Sequence, residues 1–188
     1  MTAQRVKLVG QGVAIGIVVL LFLLLARALA TGEGGDVAAA AARGERPEAP
    51  DFALERLDRK GELALPALRG KVVVLNFWAS WCVECEKEAD LLEQAWRDYR
   101  DQGVWFIGVD YLDIDSEGLA YMERFNITYP NGPDIGSRIY QDYRSTGVPE
   151  TFFIDKKGMI RHVQIGPILS QAELYGLIDR LLAEEPGS

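Results

Sequence analysis

The chain of 188 residues holds two cysteines, and they stand together in Trp81-Cys82-Val83-Glu84-Cys85. Thiols with two residues between them invite metal ligation, a structural cross-link or reversible oxidation. A zinc site needs four ligands, and with His162 the only histidine the chain offers no fourth nitrogen or sulfur donor. A purely structural disulfide across two residues closes a very small loop and gains little chain entropy. Redox exchange is the reading that neither objection touches.

Such a pair has to be positioned by the segments on either side. Lys71-Val72-Val73-Val74-Leu75-Asn76-Phe77 is β-branched and almost continuously apolar, the pattern of a strand covered on both faces. From about Glu84 to Tyr99, Ala89, Leu92, Ala95, Trp96 and Tyr99 recur at spacings of three and four, which predicts an amphipathic helix. The cysteines therefore open a helix. Its free amide donors stabilise a thiolate on the first of them. Cys82 is expected as the exposed attacking sulfur and Cys85 as the shielded resolving one.

Around this centre the pattern predicts one domain from about Pro50. Phe52-Ala53-Leu54 and Leu63-Ala64-Leu65 flank Asp58-Arg59-Lys60-Gly61, a hairpin at the domain entrance. Gly103 ends the cysteine helix, and Val104-Trp105-Phe106-Ile107-Gly108-Val109 is a second buried strand. Helices are predicted near Ser116 to Phe125 and Ser137 to Tyr143. Strands follow at Thr151 to Ile154 and near Met159 to Ile165, and a last helix starts at the capping box Ser170-Gln171-Ala172-Glu173. This order implies an α/β mixed sheet with helices on both faces.

Ahead of the domain, Arg5 and Lys7 precede an uncharged run from Leu8 to Ala26 that would span roughly 28 Å as a helix. Residues 1–30 are read as a single membrane anchor with the N-terminus in the cytoplasm and the rest outside. Ala28-Leu29-Ala30 has the form of a signal cleavage site, but the apolar run exceeds the usual length of a signal core. Residues 31–49, rich in Ala, Gly, Glu and Arg, read as a tether of about 24 Å, with 50–188 the globular domain. A net charge of −8 argues against nucleic acid and anionic lipid as partners.

With Trp81-Cys82-x-x-Cys85 at a strand-to-helix junction and Gly147-Val148-Pro149 leading a later strand, the chain resembles the thioredoxin superfamily. The strings Asn76-Phe77-Trp78-Ala79-Ser80-Trp81-Cys82 and Gly147-Val148-Pro149-Glu150-Thr151-Phe152-Phe153-Ile154-Asp155, with the N-terminal anchor, are similar to its membrane-tethered TlpA/ResA/CcmG branch. The resemblance implies a thioredoxin-like fold and an extracytoplasmic thiol-disulfide oxidoreductase, with no metal and no cofactor beyond the Cys82–Cys85 disulfide. It also implies reduction of apocytochrome c haem-binding cysteines, and recharging by a membrane thiol transporter of the CcdA or DsbD kind.

Site residues come with the resemblance. Pro149 matches a cis-proline that sits beside the cysteines and leaves the backbone of Val148 free to pair with a substrate strand. Trp81 and Glu150 join Val148 and Pro149 as substrate-binding residues, and Trp78 and Trp81 pack around the site. Glu88, three residues beyond Cys85, matches an acidic residue that reductase-type members place near the sulfurs. Ordinary thioredoxins carry a buried Asp where this chain has Asn76, so proton handling passes to Glu88. Glu84, Glu86 and Glu88, opposed locally by Lys87, disfavour a thiolate and so favour a reductant. Many relatives carry Pro at the position of Glu84.

Three alternatives are weighed against this. A peroxiredoxin carries Thr or Ser three residues before its cysteine, where this chain has Ala79. A copper-delivery module of the Sco kind has three residues between its cysteines. A general oxidant of exported proteins would share every motif and differ in redox potential.

Overall fold

The computed structural model describes residues 16–22 and 43–184. Residues 16–22 are helical and exposed, and belong to a unit separate from the rest. The remainder of the expected anchor, and the tether as far as residue 42, lie outside the described residues. Among the described residues no helix is long and apolar enough to cross a membrane.

The domain opens with the expected hairpin, in which β1 (Ala53–Glu55) and β2 (Glu62–Ala64) run antiparallel with Leu54 opposite Leu63. β3 (Val72–Trp78) leads to α1 (Val83–Tyr99), and β4 (Val104–Tyr111) leads to α2 (Asp115–Arg124). Next come β5 (Asn131–Asp134), α3 (Arg138–Asp142), β6 (Glu150–Ile154), β7 (Ile160–Ile165) and α4 (Gln171–Ala183). The sheet order is β5-β4-β3-β6-β7, with β3, β4 and β5 parallel and β6 and β7 antiparallel to their neighbours. This is the thioredoxin-like α/β fold, a mixed sheet flanked by helices.

All of β3 is buried, and its alternation explains why. Val72, Val74 and Trp78 pack with Ala89, Leu92 and Ala95 of α1 and Leu174, Ile178 and Leu181 of α4. Val73, Leu75 and Phe77 turn to the other face, with Leu54 and Leu63 of the hairpin and Ile139 of α3. Complete burial of a side chain such as Phe77 contributes about 2–3 kcal/mol. The strand that delivers the cysteines is thus clamped from both sides.

Two elements differ from expectation. β5 was not anticipated, because Pro130-Asn131-Gly132-Pro133 has the composition of a turn. An edge strand tolerates Pro133, and Gly132 has no alternative, since a Cβ there would lie 1.9 Å from Leu54 Cδ1. The folded part also begins ahead of Pro50. Ile160 N donates to Pro47 O at 2.8 Å and Ala49 N to Gly158 O at 2.9 Å. Backbone pairing needs no apolar side chains, so composition does not reveal it.

Candidate active site

β3 ends at Trp78, and the chain turns through Ala79, Ser80 and Trp81 with Cys82 N donating to Ala79 O at 3.1 Å. Cys82 is the N-cap of α1, and its Sγ accepts a hydrogen bond from Cys85 N at 3.1 Å. The helix start therefore aims a donor at this sulfur, as an amphipathic helix opening at the cysteines requires. Cys82 and Cys85 are joined in a disulfide.

Exposure differs from expectation in degree. Cys82 is 6 % exposed and Cys85 1 %, so the order is as expected while the attacking sulfur is far less open than the sequence suggests. The cause is local: Cys82 folds back over the first turn, where its sulfur both caps the Cys85 amide and bonds to the Cys85 sulfur. The open positions are its neighbours, Trp81 at 57 % and Val83 at 69 %. Trp81 Nε1 donates to Leu112 O at 3.3 Å. Trp78 is core, stacked on Tyr121 with its Nε1 donating to Asn131 Oδ1 at 2.8 Å.

Glu88 is buried on the face of α1 that packs on the sheet. Its Oε1 accepts from Asn76 Nδ2 at 2.8 Å and its Oε2 from Ile168 N at 2.7 Å. Asn76 also donates to Thr151 Oγ1 at 3.0 Å, so one amide links β3, α1 and β6. Burial pushes the Glu88 carboxyl up to about 7, against the lowering effect of the Ile168 and Asn76 hydrogen bonds. A carboxyl poised there exchanges a proton near neutral pH.

The Val148–Pro149 peptide is cis. The register of Phe77 with Glu150 sets Pro149 level with the end of β3 from which the cysteines follow. Val148 is half-buried, and its backbone makes no hydrogen bond among the described residues, whereas Pro149 O accepts from Gly166 N at 3.0 Å. Glu150 is buried. Its Oε2 accepts from Ser145 Oγ at 2.9 Å and Thr146 N at 2.8 Å, while its Oε1 has no partner among the described residues. Expected as a substrate contact, Glu150 instead lies beneath the proline loop and ties it down, because the sheet covers it. His162 sits on β7 opposite Phe153, away from the cysteines.

The charge around the helix start is more balanced than the sequence implies. Glu84 pairs with Lys87 at 2.6 Å, and Glu86 pairs with Arg124, which arrives from α2. Sequence reasoning could not place Arg124 there, since 38 residues separate the partners and only the sheet order brings them together. It also missed Ile168, whose contribution is a backbone amide and leaves no side-chain signal, and Asp113, which accepts from Ser80 N at 2.6 Å.

Residues 46–163 match the model of the AhpC/TSA family. The chain is 31% identical over 134 residues to "Thiol-disulfide oxidoreductase ResA" of Bacillus cereus, covering 71% of this chain and 76% of that one. It is 36% identical over 146 residues to "Thiol:disulfide interchange protein DsbE" of Allochromatium vinosum, covering 73% and 77%. Among solved structures, a putative thiol:disulfide interchange protein DsbE from Chlorobium tepidum superposes with a TM-score of 0.69 at 25% identity, covering 73% of this chain and 97% of that one.

Proposed function

The chain belongs to the AhpC/TSA family and is a thiol-disulfide oxidoreductase of the ResA and DsbE type, and from that premise we propose that it reduces protein disulfides outside the cytoplasm, the haem-binding cysteines of apocytochrome c being its targets. The observation that carries this reading is the buried Glu88, held between Asn76 and Ile168 on the helix that begins at the cysteines.

The cycle starts from the dithiol. The Cys82 thiolate, stabilised by the Cys85 amide, attacks one sulfur of the target disulfide and releases the other as a thiolate. Glu88 takes the proton of the Cys85 thiol, and the resulting thiolate attacks Cys82 Sγ. The second target sulfur leaves, and the two electrons that reduced the target have come from the Cys82–Cys85 pair. Val148, with a free backbone beside the cis-proline, pairs with the strand that carries the target cysteines, and Trp81 lines its approach. A membrane thiol transporter of the CcdA or DsbD kind returns the pair to the dithiol. Residues 1–30 hold the domain to the outer face of the cell membrane through the following tether.

Trapping tests this reading. With Cys85→Ala the mixed disulfide on Cys82 has no resolving thiol and accumulates in the cell. Haem-attachment segments of apocytochrome c are expected among the captured partners, and their absence would remove the cytochrome role. One observation favours a general oxidant instead: Lys87 and Arg124 offset Glu84 and Glu86, which eases thiolate formation. The midpoint potential separates the two, with about −270 mV marking a thioredoxin-like reductant and about −120 mV a strong oxidant.

A further inference from the structure

Two hydrogen bonds tie the turn ahead of Cys82 to the loop between β4 and α2. Asp113 Oδ2 accepts from the Ser80 amide at 2.6 Å, and the Leu112 carbonyl accepts from Trp81 Nε1 at 3.3 Å. The second oxygen of Asp113 accepts from Ile114 N at 2.8 Å, so one carboxylate spans the start of α2 and the turn that carries the reactive sulfur. Leu112 between them has φ 48°, a left-handed conformation that a bulky side chain holds only where its surroundings demand it.

Nearby, Asp110 is 1 % exposed, and neither of its oxygens meets a donor among the described residues. Gly118 packs so closely on it that a Cβ would lie 2.3 Å from Asp110 Oδ2. A buried carboxyl without donors is favoured as the acid. The charged groups that face Asp110 are Asp113 and Asp115. β3 presents Trp78 at the paired position, the segment after β1 presents Leu57, and α2 presents Gly118, none of which titrates. Burial, reinforced by Asp113 and Asp115, pushes Asp110 up to about 8. Asp113 is held low despite its own burial, by hydrogen bonds from Ser80 and Ile114.

We propose that Asp113 is a positioning residue for disulfide exchange: one oxygen of its carboxylate fixes the Ser80 amide, and with it the presentation of Cys82, while the other is anchored on the Ile114 amide at the start of α2. The proposal rests on the exchange activity of the Cys82–Cys85 pair and is independent of which protein is the substrate.

The test uses the full-length reduced chain and iodoacetamide, following Cys82 alkylation and midpoint potential from about pH 6 to about pH 9. Asp113→Ala is expected to change the alkylation rate by about threefold or more and to shift the potential, with Asp113→Asn, which keeps one acceptor oxygen, falling between. Superposable rates and potentials in wild type and both Asp113 variants overturn the proposal. If Asp113→Ala does not fold, Asp113→Asn decides. A wild-type chain without exchange activity overturns premise and proposal together.

Discussion

At the scale of single residues, Glu88 joins burial to the proton transfer proposed for it. Its carboxyl has been lifted from 4.5 to about 7 by burial, which makes it a competent base at neutral pH and an acid just below. Glu88→Gln should slow resolution of a pre-formed mixed disulfide by about 100-fold and erase the rate inflection near pH 7, measured in single-turnover release of a disulfide-linked peptide. Stability carries the same signature. Between pH 4.5 and 7 the folded chain keeps a proton on Glu88 that the unfolded chain has lost, so stability falls as pH rises through this window and is flat above it. This one group accounts for a decline on the order of 3 kcal/mol, and urea midpoints taken across the window should show that part of the slope missing in Glu88→Gln. The position of Glu88 on the cysteine face was legible from its spacing. Its burial was not, because that depends on Ile168, a backbone donor 80 residues away.

Among the elements, β3 and α1 were readable because a strand covered on both faces and an amphipathic helix each write their burial into side-chain periodicity. β5 was not, since it is recruited by its neighbours: Asn131 accepts from Trp78 Nε1 at 2.8 Å and donates to Tyr129 O at 2.8 Å, contacts that follow only from the β4 register. Gly108 makes that possible, because a Cβ there would lie 1.6 Å from Asn131 Oδ1 and 2.7 Å from Trp78 Nε1. Gly108→Ala should therefore cost about 2 kcal/mol or more and move the tryptophan emission, since both polar groups lose their partner in a dry core. The stretch Asp110-Tyr111-Leu112-Asp113-Ile114-Asp115, from the end of β4 to the start of α2, carries no sequence signal of burial. Acidic residues at such density normally face water, and only the packing of Gly118 onto Asp110 shows otherwise.

For the molecule as a whole, the sheet order was legible as a class and not as a boundary. Pro47 to Ala49 carry little that marks a strand, yet two backbone hydrogen bonds and the 2 % exposure of Ala49 place them in the fold. A chain cut before Arg46 should melt like the longer one. A chain cut before Pro50 should lose about 1–3 kcal/mol, the worth of two such bonds, in thermal or urea denaturation.

That attachment has a mechanical meaning. Ile160, which Pro47 grips, lies across β6 from Val73 at the start of β3, whereas the sulfurs follow its far end at Trp78, five residues and roughly 17 Å along. The described domain is thus entered at the end of the sheet opposite the disulfide, and the full length of β3 separates that entry from the reactive rim.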